Sequence, residues 1–223
     1  KVVVDSMYTT IKKIGLEIRT LTLEPIAAIS VVIPHDMRKL NIALVDIGAG
    51  TSDIAISKDG KIIGYGMVPM AGDEVTENIL NEYLLDFETA EIVKKALSDK
   101  NETVKYEDIL GIEYEVEKNE IHEKIDGTLE TLSTKIAEKI GELNEIPPQA
   151  VIMIGGGSLV PKLKEKIAEK VSLVAGRVAI RGTEAIKNLV DDTEKVRTAE
   201  FVTPIGIANM AFDKKGFNIL EFS

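Results

Sequence analysis

Leu44-Val45-Asp46-Ile47-Gly48-Ala49-Gly50-Thr51-Ser52-Asp53 is a hydrophobic strand that ends on a carboxylate and turns through two glycines and a threonine. With no Cβ in the way at Gly48 and Gly50, backbone amides can approach an anion closely. Asp46 can hold a hydrated divalent cation, and the demand of magnesium for oxygen ligands suits a position beside phosphates. Read alone, the stretch fits an ordinary glycine-rich hairpin equally well. The surrounding chain decides between the two.

Residues 41–46, 52–57 and 61–68 have the short apolar pattern of three consecutive antiparallel strands, with Asp59-Gly60 supplying the tight turn between the last two. Before this meander, residues 2–4 read as a strand, 6–13 as a helix and 17–23 as a second strand. Pro25 suits the first turn of a helix through residue 32, where a missing N–H is no loss, and Pro34 and His35 close it. After the meander, residues 73–98 become helical, with Asp86 a plausible N-cap of the second helix. Residues 106–116 are a weak, strand-containing stretch. Ile121, Ile125, Leu129, Leu132, Ile136 and Ile140 then recur every three or four positions, which marks a long amphipathic helix whose charges form a solvated face. Pro147-Pro148 stops it. Residues 150–154 form a buried strand entering Gly155-Gly156-Gly157, and a helix is expected from Ser158 to about residue 171. Residues 177–180 read as a strand, 202–212 as a helix and 217–222 as a final strand or tail. Strands alternating with helices indicate an α/β layered domain. No internal repeat or low-complexity tract is present.

The bulk numbers narrow the function. With 44% hydrophobic residues in 223, the chain can bury one substantial core or two modest ones. Its net charge of -10, from 37 acidic against 27 basic residues, argues against a sequence-independent grip on nucleic acid. A mononucleotide held by a few amides is not excluded by that charge. The absence of cysteine leaves no disulfide framework or thiolate metal site and fits a reducing, cytoplasmic setting. No apolar run is long enough to cross a bilayer and there is no signal peptide. The chain opens on Lys1 rather than Met, as an excised piece would.

Other stretches gain meaning beside the first. Gly155, Gly156, Gly157 and Ser158 follow a buried strand and open a helix, so free N–H groups there can face a ribose or phosphate, although a tight turn without a ligand reads the same way. Glu91, Lys94 and Lys95 share one helix face and can hydrogen-bond a ribose and offset phosphate charge; a solvated, salt-bridged face is the competing reading. Glu24, before Pro25, is unremarkable alone. Residues 2–10 imitate a strand followed by a phosphate loop but lack the glycine such a loop needs, and are read as strand then helix cap. His35 and His122 are far apart, in no metal-binding or catalytic-triad spacing, and are read as surface residues.

Taken in order, these stretches resemble the superfamily of actin, the DnaK-type chaperones, the sugar kinases and the bacterial division protein FtsA. Leu23-Glu24-Pro25-Ile26-Ala27-Ala28 is similar to the Glu-Pro-x-Ala-Ala element, whose glutamate contacts the water shell of the metal near the γ-phosphate. Asp46 to Asp53 resembles the second phosphate loop, DxGxGTxD, with Ala49 where glycine is frequent. Met70-Ala71-Gly72-Asp73-Glu74 resembles the turn after the meander, and Glu91-Ile92-Val93-Lys94-Lys95 the helix that holds the nucleoside. Gly155-Gly156-Gly157-Ser158-Leu159 resembles the adenosine loop, with Leu159 where the chaperones carry a stacking arginine. Thr203-Pro204-Ile205-Gly206-Ile207-Ala208 resembles the second connecting helix. FtsA-like proteins are the nearest in phrasing.

The resemblance implies a ribonuclease-H-like actin-fold lobe, a mixed five-stranded sheet flanked by helices. Residues 1–36 would contribute strands and a connecting helix from the first lobe, 37–72 and 147–223 the second-lobe core, and 73–146 an inserted, more helical subdomain. It implies ATP and magnesium as ligands. Glu24 and Asp46 would organise the hydrated metal, Asp46 through water. Gly48, Ala49, Gly50, Thr51, Asp53 and Gly72 would cradle phosphates, and Glu91, Lys94, Lys95 and Gly155 to Ser158 the nucleoside. The first phosphate loop belongs to the other lobe, so hydrolysis is expected of the intact parent and not of this half, because phosphoryl transfer depends on opposed electrostatic contacts. Partners would be the nucleotide, further copies or division proteins. A non-catalytic actin-fold scaffold, a DnaK-like chaperone domain and, less favoured, a sugar or acid kinase remain open alternatives.

Overall fold

The computed structural model describes residues 2–18, 21–34, 36–186, 189–192 and 195–212. Along the chain run α1 (Val2–Lys13), α2 (Glu24–Val32), β1 (Ile42–Ile47), β2 (Ser52–Lys58), β3 (Lys61–Val68), α3 (Gly72–Tyr83) and α4 (Phe87–Ala96). They are followed by β4 (Thr103–Glu107), β5 (Glu113–Glu117), α5 (Lys118–Leu143), β6 (Ala150–Ile154), α6 (Leu163–Lys170), β7 (Val178–Ile180) and α7 (Val202–Phe212).

Five strands form one mixed sheet in the order β3-β2-β1-β6-β7, antiparallel from β3 to β1 and parallel from β1 to β7. The meander turns at Asp59 and Gly60, both at positive φ (52° and 78°), the backbone that matches the twist of a two-residue hairpin. β1 is buried along nearly its whole length because both faces of the sheet are covered. Period-two alternation sends Ile42, Leu44, Ile152 and Ile154 towards α2 and Val202, and Ala43, Val45, Ile47, Val151 and Met153 towards the opposite cluster. That cluster continues without a break through α3, α4, α5 and Val104, so residues 73–146 share one core with the sheet. All six periodic residues of α5 are buried, while Lys166 pairs with Asp126 and Glu130 to tie its charged side to α6.

A buried amide pair closes the return from α5 into the sheet. Asn41 and Asn144 exchange side-chain hydrogen bonds of 3.3 and 2.9 Å, and Gln149 bonds the Asn41 backbone through both its side chain and its N–H. Asn144→Ala leaves the Asn41 amide buried without those partners. The expected cost is about 1–3 kcal/mol, read as a lower urea midpoint at unchanged slope.

Three sequence expectations are corrected. Residues 2–4 belong to the single helix α1 rather than a strand, and no strand is present among the described residues of 17–23. Strand preference is largely packing on a pleated neighbour, and among the described residues no strand lies alongside: Val2 is 79% exposed. The strand content expected of 106–116 is present, as a full hairpin of β4 with β5 over residues 103–117 in which Tyr106 stacks on Tyr114 and meets Tyr83 edge-on. The helix expected from Ser158 to 171 is broken: Gly156–Leu159 is a 3-10 turn, Val160 is extended at ψ 121° and α6 starts only at Leu163. Pro161 is the cause, since the residue before proline is driven out of helical backbone. The expected strand 217–222 and His35 lie outside the described residues. Among the described residues no helix is long and apolar enough to cross a membrane.

Candidate functional site

β1 and β2 place two carboxylates face to face. Asp46 and Asp53 are direct cross-strand partners in the antiparallel register, a juxtaposition that like charges disfavour. Thr203, in the first turn of α7, donates its hydroxyl to Asp46 Oδ2 at 2.7 Å. Burial raises the Asp46 carboxyl above its ordinary range; the Thr203 hydrogen bond opposes that rise and the Asp53 charge adds to it. Asp53 accepts from Tyr65 at 2.6 Å and from the Thr51 hydroxyl at 3.3 Å, and the first of these bonds pushes the Tyr65 phenol up to about 12. Glu24, in the first turn of α2, completes the group. Partial burial, then the charges of Asp53 and Asp46, hold its carboxyl above the usual range. Among the described residues no three His, Cys, Asp or Glu side chains are grouped to hold a metal directly.

On the other side of the loop a cleft of about 610 Å³ opens. Gly48 and Ala49 of the β1–β2 turn, Gly156 and Gly157 after β6, and Glu91, Lys94 and Lys95 of α4 all line it. Three stretches separated by more than forty residues of sequence therefore meet on one wall. The turns are fixed by backbone bonds: Gly48 N–H to Thr51 O (3.0 Å), Asp73 N–H to Ala49 O (2.8 Å) and Gly155 N–H to Ala199 O (3.0 Å). Gly155 sits at φ 80°, ψ 160°, a backbone open in practice only to glycine. Because Gly156 opens a four-residue turn and not an α-helix, what it offers a ligand is local amides rather than a long helix dipole.

Asp86 caps α4 by accepting from Thr89 N–H at 2.9 Å, as expected. One turn on, Glu91 accepts from the Thr76 hydroxyl (2.6 Å) and pairs with Lys94 and, at 3.4 Å, with Lys95. Burial pulls the Glu91 carboxyl upwards, but the hydrogen bonds from Lys94 and Thr76 and the charges of Lys94 and Lys95 together outweigh it and hold the group below its ordinary range.

The structure thus separates the expected residues into two adjoining groups. Gly48, Ala49, Glu91, Lys94, Lys95, Gly156 and Gly157 line the cleft, and Glu24, Asp46 and Asp53 form the carboxylate group. Gly50 and Thr51 sit at the exposed tip of the turn, Gly72 and Gly155 are buried joints behind the cleft, and Ser158 is fully buried with its hydroxyl donated to Gly155 O at 2.7 Å. Asp73, Phe87, Ser98, Val160 and Glu200 also line the cleft and went unrecognised, as did Thr203. Asp73 stood within a turn already singled out, and Thr203 directly precedes a helical proline; for Glu200 the sequence carries no signal. His122 is not a surface residue: it is 7% exposed, with Nδ1 lacking a hydrogen-bond partner. Three residues before Ile125 and seven before Leu129, it falls on the buried face of α5. Burial, then the charges of Lys162 and Lys118, hold its imidazole below the ordinary range.

The family described as cell division protein FtsA matches residues 43–210, a span holding the cleft and all but the outermost residues of the meander and α7. The chain belongs to that family. It is 26% identical over 215 residues to the cell division protein FtsA of Pseudomonas aeruginosa, covering 92% of this chain and 50% of that protein. To its Bacillus subtilis counterpart it is 32% identical over 97 residues, 44% of this chain and 22% of that one. This FtsA-family chain spans about half the length of the first of these relatives. Among solved structures, a PilM–PilN type IV pilus biogenesis complex aligns with TM-score 0.72 at 18% identity, over 92% of this chain and 56% of that one. MreB5 of Spiroplasma citri bound to ADP aligns with TM-score 0.69 at 20% identity, over 95% and 64%. These neighbours have the actin-like fold, and the mixed five-stranded sheet flanked by helices is the lobe architecture expected from the sequence.

Proposed function

We propose that this chain is the nucleotide-gripping lobe of an FtsA-like, actin-fold switch that binds ATP with magnesium in the cytoplasm. Its intact parent would hydrolyse the nucleotide and change its association with further copies or with division proteins. The observation that carries the reading is the cleft in which Gly48 and Ala49, Gly156 and Gly157, and Glu91 and Lys95 converge. Phosphates would lie along the turn 48–51. The nucleoside would lie between Gly156 and the α4 face made by Glu91, Lys94 and Lys95, with Phe87 and Leu159 as apolar surface for the base.

The residues fit both ligands. A Cβ at Gly157 would lie 3.1 Å from Gly48 O and 2.5 Å from Ile47 Cγ2, so the floor of the cleft has room for backbone alone. Asp46 facing Asp53, with Glu24 coupled electrostatically to both, concentrates negative charge in hard oxygen donors, the donor type that a hydrated magnesium takes. Magnesium would there neutralise phosphate charge, while Thr203 orients the Asp46 carboxylate and the turn amides hold the anion.

Calorimetric titration with ATP and ADP, each with magnesium, tests the proposal. Unaltered protein is expected to bind. Gly156→Val, whose Cβ meets nothing closer than Glu200 Cγ at 3.5 Å, is expected to fold and lose at least about tenfold in affinity as its side chain fills the cleft. Unchanged affinity in that variant would remove the cleft from the account.

A further inference from the structure

His122 stands in the second turn of α5 on the same buried face as Ile121 and Ile125, and its Nδ1 meets no partner. A neutral imidazole presents one N–H and one lone pair, whereas an imidazolium presents two N–H donors and a charge. The charges that bear on the ring are both positive, from Lys162 in the connection before α6 and from Lys118 one turn earlier on α5. Asp126, one turn on, is paired with Lys166 of α6, Glu82 of α3 with Lys124 of α5, and Asp99 meets Lys118 through its backbone carbonyl. A proton on His122 would therefore be a third positive charge in a buried site, with an orphaned donor, and only the entry of water would relieve it.

Three segments of chain are joined at this point. The Lys118 N–H donates to Glu102 O at 3.0 Å and its ammonium to Asp99 O at 2.8 Å, which ties the first turn of α5 to the connection 97–102. The Ser98 hydroxyl donates to Leu159 O at 2.9 Å, which ties that connection in turn to residues 159–162, where Lys162 stands. Ser98, Leu159 and Val160 form one edge of the cleft.

We propose that His122 is an acid-sensitive joint: with a neutral ring it lets α5, 97–102 and 159–162 close on one another, and with a protonated ring it drives Lys118 and Lys162 apart and loosens the cleft edge at Ser98 and Leu159. The device is a property of the protein without ligand and does not rest on the nucleotide reading. A ring held below its ordinary value near 6.5 binds fewer protons than it does in the unfolded chain, so its contribution to stability is complete above that value and is lost as pH falls through the lowered one. Asp46 and Glu24, with raised carboxyls, act in the opposite direction, and a His122 variant separates the two effects.

Amide hydrogen exchange of the intact protein without ligand, corrected for the intrinsic pH dependence of exchange, is measured at about pH 7.5 and about pH 5.5. In the unaltered protein, residues 97–102 and 159–163 are expected to exchange at least about tenfold faster at the lower pH. His122→Phe, which keeps a buried ring and takes no proton, is expected to hold the two rates within about twofold. Lys162→Glu, which supplies a counter-ion, is expected to suppress the acid response with His122 still in place. An acid response of equal size in His122→Phe, or none in the unaltered protein, overturns the proposal, and a response that survives in Lys162→Glu overturns the part given to Lys162. Should His122→Phe not fold, His122→Gln is read in the same way.

Discussion

Gly155→Val is expected to destabilise the fold by about 3 kcal/mol or more, enough to remove a large share of the stability of an ordinary domain. Two independent costs combine. The first is conformational: φ 80° with ψ 160° lies in a region that costs a residue with a Cβ about 1–3 kcal/mol, most for a β-branched one. The second is steric: a Cβ there would stand 2.4 Å from Ile47 O and 2.5 Å from Asp46 Oδ1, against the central strand, which cannot retreat without breaking its ladder. Alanine meets the same two atoms and is expected to cost most of the same amount. Gly156→Ala is the control, since its nearest neighbour is a Glu200 side chain at ordinary contact distance. Guanidinium unfolding of the three variants decides the matter, and a Gly155→Ala loss below about 1 kcal/mol would contradict the described path of the loop.

Asp46→Asn is expected to separate stability from function. The raised carboxyl means that the native state keeps its proton to higher pH than the unfolded chain does. The native state then binds more protons, so the contribution of Asp46 to stability is greatest at low pH. It declines as pH rises from the ordinary value near 3.8 through the raised one and stays lost at neutral pH. Glu24 acts in the same direction. Asparagine keeps an acceptor for Thr203 and removes the charge facing Asp53. Its melting temperature at pH 7 should equal or exceed that of the unaltered protein, with a flatter dependence between about pH 4 and 7. Affinity for magnesium nucleotide should fall on the order of a hundredfold, as loss of an ionised partner implies. A variant less stable at pH 7 with unaltered affinity would show that Asp46 serves the fold alone.

The parts of the architecture that the sequence made legible are those governed by local rules. The meander announces itself through three short apolar runs and Asp59-Gly60, α5 through six residues of helical period, and the end of β6 through a buried run meeting three glycines. Asp86 is recognisable as a cap because its chemistry is confined to four residues. What escaped depends on distant chain. Residues 2–4 carry strand-forming side chains but have no strand beside them among the described residues. His122 is polar on a helix whose register, not its own character, decides its burial. Ser158 has the hydroxyl expected of a ligand contact, yet Pro161 shortens the helix behind it and the hydroxyl turns inwards to Gly155. Thr203 reaches the site because α7 packs back on α2, where a Cβ on Gly206 would press within 2.5 Å of Ala27 O, and Glu200 because the turn before α7 is tied to the β6 loop by Gly155 N–H to Ala199 O. The two lysines of α4 are adjacent in sequence, and only the fold turns Lys94 inwards to Gly72 O and Thr76 Oγ1 while leaving Lys95 exposed.

The most direct measurement is a crystal structure of the intact protein grown with ADP and magnesium. Phosphate density is expected against the backbone of residues 48–51, the nucleoside between Gly156 and the α4 face at Glu91 and Lys95, and a hydrated cation beside Asp46. Nucleotide density elsewhere on the protein, with this cleft holding solvent only, would contradict it.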